Sequence, residues 1–502
     1  MSEDGGKSQN RLRGRPGHPI GDPFRAPPGD QLGDPFADPF NDRFNEPTPA
    51  PPPQPGRTRR GRRFENGVGA IVLVDLLALV LVAASAPAAY LWLGQSNPSP
   101  IATATATPLP SPSPVAAATS SPGAAASGAS ASASAAPTPG LAYGDGTWAA
   151  AAPLSQARWA ASSVLLRDGR VMVVGGTTGN SSNNAVTTAT TFDPATGFWT
   201  SVTGMLQPRA YAMAVLLADG SVLVAGGSRS GQPLDTAERY NPGTDTWVAA
   251  GRLNLPRTQG TLTLLPDGRV LAAGGGVEGA PGWNSTASAE LFDPKSGVWT
   301  MTAPMSVARA RHTATLLPDG EVLVAGGATT FHGDIGSVTA TAELYNPKTG
   351  KWTAVPSMSK PRYVHGAALL RDGRVLVAGG WYATSNTDPS HETAEIYDPA
   401  ANQWTATGPM TSARAEYGLV ELPDGRVLAA GGIDPSYRVQ TATELFDPAT
   451  GHWEASGKLA TATMGSAVLA LPDGQVLIAG GALDALASKV TGVCEIYTAP
   501  VP

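Results

Sequence analysis

The 502-residue sequence predicts an all-β fold, a seven-bladed propeller, and three observations lead there. A phrase of the form D-G-x-V-L-V-A-G-G recurs seven times, with minor substitutions such as Met172, starting at Asp168, Asp219, Asp267, Asp319, Asp372, Asp424 and Asp473. Each copy is followed by an aromatic residue, namely Phe192, Tyr240, Phe292, Tyr345, Tyr397, Phe446 and Tyr497. The spacing is rigid except in one clause: 8 residues from Asp to the second Gly, 7 from the aromatic to a Trp, 20 from Trp to the next Asp, but 13 to 18 from Gly-Gly to the aromatic. A long repeat whose insertions gather at one connection describes an array that presents one variable face.

Within a repeat, four short apolar runs read as strands. In the fourth they are His312–Leu317, Glu321–Ala325, Ala340–Tyr345 and Trp352–Val355. Pro318-Asp319-Gly320 forms a tight turn between the first two, because Gly accepts positive φ and Asp bonds its own backbone. Asn346-Pro347-Lys348-Thr349-Gly350 turns the chain between the third and fourth. A four-stranded antiparallel meander repeated radially is a propeller blade.

The glycine doublets are Gly175-Gly176, Gly226-Gly227, Gly274-Gly275, Gly326-Gly327, Gly379-Gly380, Gly431-Gly432 and Gly480-Gly481. The tryptophans are Trp199, Trp247, Trp299, Trp352, Trp404 and Trp453, with Trp148 standing alone 20 residues before the first repeat aspartate. Doublet, aromatic and Trp in this order resemble the Kelch family, and the Asp-Gly turn ahead of the doublet is most similar to Kelch repeats of extracytoplasmic proteins and galactose-oxidase-like enzymes. The resemblance implies that these glycines and tryptophans are architectural. Because the seventh repeat lacks a Trp strand, the segment around Trp148 is expected to complete the last blade and close the ring, leaving no sheet edge exposed. The propeller is expected to span 145–499.

Three segments precede it. Residues 1–63 are Pro-rich, carry 11 basic and 8 acidic side chains, and are expected to form a disordered cytoplasmic tail. Its Asp22-Pro23-Phe24, Asp34-Pro35-Phe36 and Asp38-Pro39-Phe40 are read either as a multivalent docking motif or as part of a low-complexity tail near anionic lipid. Residues 66–94 are apolar apart from their first few positions, Asp75 and Ser85, and follow Arg57, Arg59, Arg60, Arg62 and Arg63. This pattern predicts a transmembrane helix acting as a signal anchor, with the N-terminus cytoplasmic and the propeller extracytoplasmic on a single-pass membrane protein. A cleaved signal peptide ending near Ala84-Ser85-Ala86 or Ala86-Pro87-Ala88 is the other reading, and it exports the propeller too. Asp75 is read as a functional intramembrane carboxylate or as a residue close enough to the cytoplasmic end to snorkel. Residues 95–143 contain no charge until Asp145 and are rich in Ala, Ser, Thr and Pro, which predicts an extended stalk.

The net charge of −6 comes with no basic face for nucleic acid. The single Cys494 rules out an intramolecular disulfide, and its place in a third strand predicts a packed thiol. No cofactor or metal is expected, and the oligomeric state stays open.

In a meander, the loops after Gly-Gly and the crossings after Trp share one end of the blade, so both line one mouth. The loops contribute Trp283, Phe331, His332, Asp334, Trp381, Tyr382, Asp388, His391 and Tyr437, and the crossings Tyr211, Arg311 and Tyr363. Aromatic side chains with a few convergent polar groups on a rigid scaffold predict a binding module for a glycan or a protein ligand. The same residues are also read as loop packing.

Two charged columns run through the repeats. An Arg lies ten residues before the turn aspartate in six copies (Arg158, Arg209, Arg257, Arg309, Arg362, Arg414), with Thr463 in the seventh. A Glu lies two before the aromatic in six (Glu238, Glu290, Glu343, Glu395, Glu444, Glu495), with Thr190 in the first. The two exceptions are neighbours around the ring, so each Arg is expected to pair with the Glu of the following blade, Arg309 with Glu395 for instance.

The resemblance also raises carbohydrate-active enzymes. A copper radical oxidase would imply two His, two Tyr and a Cys-Tyr thioether, whereas here the histidines are scattered and His312 and His365 share one repeat position, which points to a structural role. A Kelch sugar isomerase shares the fold alone, which transfers no activity. No nucleophile triad, phosphate loop or metal-ligand spacing is present, so no catalytic residue is assigned.

Overall fold

The computed structural model describes residues 146–279, 282–331, 337–382 and 391–500. The tail over 1–63, the apolar segment over 66–94 and the stalk over 95–143 lie outside the described residues. Among the described residues no helix is long and apolar enough to cross a membrane.

Seven four-stranded antiparallel sheets form the expected blades. The fourth blade consists of Thr313–Leu316, Val322–Ala325, Ala342–Asn346 and Lys351–Val355, each within two residues of its expected run. First strands of neighbouring blades touch one another in an unbroken cycle of seven, so they are the innermost strands. Second strands such as Val322–Ala325 are buried at every position, while outermost strands such as Lys351–Val355 face solvent on one side. A fully apolar run therefore marks a strand covered on both faces. Seven apolar cores result, each shared by two adjacent blades.

The sequence phrases have direct mechanical reasons. At the first turn of the fourth blade, Gly320 takes φ +89° and Asp319 Oδ1 accepts the Glu321 N–H at 2.9 Å. The seven-residue step from aromatic to Trp puts the two directly across a strand pair, Tyr345 opposite Trp352 with ring centroids 4.9 Å apart. In six blades the indole then reaches the neighbouring blade: Trp352 Nε1 donates to Ala303 O at 2.8 Å, Trp199 Nε1 to Ala152 O at 2.8 Å and Trp148 Nε1 to Thr443 Oγ1 at 3.3 Å. Gly326 of a doublet sits at φ +65°, where a Cβ would lie 2.5 Å from the Arg362 carbonyl of the next blade. The doublet is thus the point where consecutive blades touch backbone to backbone, and Gly327 N–H donates to that same Arg362 carbonyl at 2.8 Å.

Ring closure follows the expected route. Thr147–Ala151 pairs antiparallel with Cys494–Thr498, placing Trp148 opposite Tyr497. The doublet of the last blade bonds the first repeat arginine, Gly481 N–H to Arg158 O at 2.9 Å.

The arginine column needs correction. Five of the six arginines pair with the Glu of their own repeat: Arg209–Glu238 at 2.6 Å, Arg257–Glu290 at 2.6 Å, Arg309–Glu343 at 2.9 Å, Arg362–Glu395 at 2.9 Å, and Arg414–Glu444. Glu395 thus belongs to Arg362 and not to Arg309. The crossing delivers the Arg backbone to the junction, so its carbonyl meets the preceding doublet while its side chain runs forward into the blade it leads. The inter-blade strut survives, but main chain and side chain share the work. The glutamate completes it by accepting N–H groups of the crossing, as Glu343 does from Ser306 at 2.7 Å and Val307 at 3.3 Å.

Candidate functional site

The loops after the doublets and the inter-blade crossings do meet at one end of the ring, where short backbone bridges join them blade by blade. Trp159 bridges Thr177, Ala310 bridges Ala328, Tyr363 bridges Trp381, and Ala415 bridges Ile433. Apolar side chains from these segments, including Trp159, Tyr211, Tyr363, Val364, Trp381, Ile433 and Met464, pack into one cluster.

At its centre the crossings form a backbone ring. The residue eight before each turn aspartate takes a left-handed conformation in all seven repeats: Ala160, Tyr211, Gln259, Arg311, Val364, Glu416 and Gly465 have φ between 46° and 60°. Each amide from Tyr211 onward donates to the carbonyl of its predecessor in this series, from Tyr211 N–H on Ala160 O at 3.0 Å to Gly465 N–H on Glu416 O at 3.0 Å. Six of the seven are not glycine, so the conformation carries strain that surrounding contacts must hold, a situation that concentrates at functional sites.

Three polar side chains of the ring converge. Arg311 Nε donates to Gln259 Oε1 at 2.7 Å, and both residues are buried. Glu416 is buried as well, and among the described residues neither of its carboxylate oxygens has a hydrogen-bond partner. Burial raises its pKa to about 8, with the Arg311 charge pulling the other way. Desolvation wins because no donor reaches the carboxylate to stabilise its charge. The floor of the mouth therefore holds a carboxyl that is protonated at neutral pH, beside a guanidinium.

The sequence candidates distribute around this centre. Tyr211, Arg311, Tyr363 and Trp381 are buried in the wall, at 3 to 5 % exposure. Tyr437 is 46 % exposed and stacks on Trp381, with centroids 5.3 Å apart and planes at 26°. Tyr382 is half-buried and meets His391 edge-on at 6.3 Å. Trp283 and Phe331 pair through their backbones in a small sheet that joins the mouth loops of the third and fourth blades. His332, Asp334 and Asp388 lie outside the described residues.

Sequence reasoning missed Gln259 and Glu416, and also Leu483 and Leu486, which are 38 % and 40 % exposed on the last blade's mouth loop. The signal for the first two was present: the position eight before the aspartate varies in chemistry between repeats while the position ten before it holds Arg. What the sequence does not show is that side chains at this position converge, Arg311 on Gln259 and beside Glu416.

His312 and His365 are structural. His312 Nε2 lies 3.2 Å from Thr261 Oγ1 and His365 Nε2 lies 3.0 Å from Thr313 Oγ1, each bonding to the inner strand of the preceding blade. Burial pushes the His312 pKa down to about 3. The Cys494 thiol is buried, with its pKa raised to about 11 by that burial. These residues do not form the donor set of a copper radical site, and among the described residues no group of three or more His, Cys, Asp or Glu is placed to hold a metal ion.

Comparison with known proteins agrees with the repeat structure. The Kelch motif matches residues 209–254, 263–306, 309–359 and 362–411. The chain is 28 % identical over 150 residues to spermatocyte protein spe-26 of Caenorhabditis elegans, covering 29 % of this chain and 25 % of that protein. It is 30 % identical over 141 residues to Kelch-like protein 26 of Danio rerio, covering 28 % of this chain and 22 % of that one. The chain thus spans a quarter or less of these relatives. Among solved structures, a fungal alcohol oxidase of the AA5 family in complex with copper aligns with a TM-score of 0.59 and 18 % identity, covering 71 % of this chain and 77 % of that one. At that identity the likeness is one of fold.

Proposed function

The chain carries Kelch repeats folded into a seven-bladed propeller, and from that premise we propose that it is a binding module whose mouth takes a protein segment or a glycan. The observation that carries this reading is the stack of exposed Tyr437 on buried Trp381: a large amphipathic ring fixed on a rigid base, beside a strained polar axis. Rigid aromatic anchors lose little conformational entropy on binding, and they dominate recognition surfaces for that reason. The neighbouring Leu483 and Leu486 widen the apolar area toward the last blade, which favours a protein ligand. Arg311, Gln259 and Glu416 supply polar specificity below it, and Tyr382, Trp283, Phe331, His332 and Asp388 extend the rim. In this proposal the apolar segment over 66–94 anchors the chain in the cell membrane and the stalk holds the propeller on the extracytoplasmic side.

The test is a binding screen of the full chain against glycan arrays and extracytoplasmic protein fractions, repeated with Tyr437→Ala. The variant is expected to lose at least tenfold in affinity, since aromatic hot spots cost about 2 kcal/mol or more on truncation, with an unchanged melting midpoint. Equal binding by both proteins would remove the mouth from consideration.

A further inference from the structure

In blades two to six, one guanidinium occupies the same socket. In the fourth, Arg309 Nη1 donates to Gly326 O at 2.6 Å and Thr341 O at 2.9 Å, while Nη2 donates to Glu343 Oε1 at 2.9 Å. Blade seven keeps the equivalent acceptors, Gly480, Val493 and Glu495, but carries Thr463 where the others have arginine. The hydroxyls of Thr463 and Ser466 turn to Gly480 O, at 3.0 and 2.9 Å.

Glu495 is left without its usual countercharge. It is 3 % exposed and accepts the same two crossing amides as its counterparts, from Ala460 at 2.8 Å and Thr461 at 3.0 Å. Among the described residues it has no ion pair, whereas the five equivalent glutamates of blades two to six each have one. Beside it lies a cavity of about 10 Å³ whose lining includes Thr463, Gly480, Val493 and Glu495.

We propose that this cavity is a binding site for a water-sized monovalent cation: sodium, potassium or ammonium. Four features select that class. Between the apolar Ile478 and Val493, the lining includes the oxygen-bearing side chains of Glu495, Thr461, Thr463 and Thr491, which suit hard cations. A single carboxylate balances a single positive charge. The volume left beside the Thr463 side chain accommodates a guest about the size of one water. A buried carboxylate without a partner charge is costly, and the other blades show that the fold answers this cost with a cation in the same place. The site adjoins Cys494–Thr498, the strand to which Thr147–Ala151 is zipped, so cation loading strengthens the joint that closes the ring.

Thermal unfolding of the full chain tests this at fixed ionic strength in chloride salts of sodium, potassium, ammonium or bulky tetramethylammonium. At tenfold excess over the dissociation constant, at least one small cation is expected to raise the midpoint by roughly 2 °C over tetramethylammonium. Comparing the three small cations identifies the preferred guest. In Glu495→Gln the difference between small and bulky cations disappears. In Thr463→Arg a built-in guanidinium replaces the guest, so the midpoint rises in tetramethylammonium and no longer depends on the cation. This second variant removes no native polar contact of Glu495 and keeps the test decisive if the first folds poorly. Equal midpoints in all four salts overturn the site, and so does a difference that persists in both variants, since that reflects general ion effects.

Discussion

Glu416 makes the folded chain sensitive to pH. Its carboxyl holds its proton up to about pH 8 in the fold, whereas in an unfolded chain it releases it near about 4.3. Between those values the folded state binds one proton more, so stability falls as pH rises, and the penalty is complete only above about 8. Glu416→Gln, neutral at every pH, is expected to match the native chain below about pH 4 and to become more stable than it as pH rises toward 9. The gain has a ceiling of about 5 kcal/mol, set by the pKa difference. Urea midpoints across that range measure it, and a pH-independent difference contradicts the assignment. None of this was legible in the residue type, because a glutamate eight residues before a turn aspartate reads as surface. What decides its chemistry is its burial where the crossings converge, at a left-handed position shared by seven residues with no common side chain.

At the level of elements, the crossing between blades is the part most dependent on a single side chain. Arg309→Ala leaves Glu343 buried beside two crossing amides with no countercharge, and the expected loss is about 3–5 kcal/mol by chemical denaturation. Arg158→Ala is expected to cost less, because Thr190 stands where a glutamate would be and Arg158 Nη1 bonds only the carbonyls of Gly175 and Thr188. Equal losses from the two substitutions would show that the carboxylates contribute little. Strands and turns were readable because short apolar runs, Asp-Gly turns and the aromatic-to-Trp step are local patterns. The charged columns were readable too, but their pairing was not. Two exceptions adjacent around the ring suggested a shift by one blade, whereas each is accommodated where it stands, one by carbonyl acceptors and one by a cavity. Pattern adjacency carries no information about which way a side chain leaves the backbone.

For the whole molecule, every apolar core lies between blades, so no blade has a complete interior of its own. Deleting residues up to and including Ala152 removes the outer strand of the last blade and the acceptor of the Trp199 indole together. The expected result is loss of the single cooperative melt and binding of a hydrophobic dye, while a deletion ending at Tyr143 leaves the melt unchanged. Similar melts for both deletions would mean that closure is dispensable. Fold class, blade number and the closing strand were all visible from spacing, because a ring with fixed repeats constrains its own ends. The polar axis and the aromatic stack were not, since they arise where crossings from distant repeats converge.

The zipper between Thr147–Ala151 and Cys494–Thr498 also sets an order of events during synthesis. The first of these strands leaves the ribosome hundreds of residues ahead of its partner and must wait, hydrogen-bonding groups unmatched, until the last blade is made. Nascent chains therefore pass through a long interval in which the sticky early segment is open to wrong partners, and a holding chaperone or a slow pause while the last blade is made would matter most at that moment.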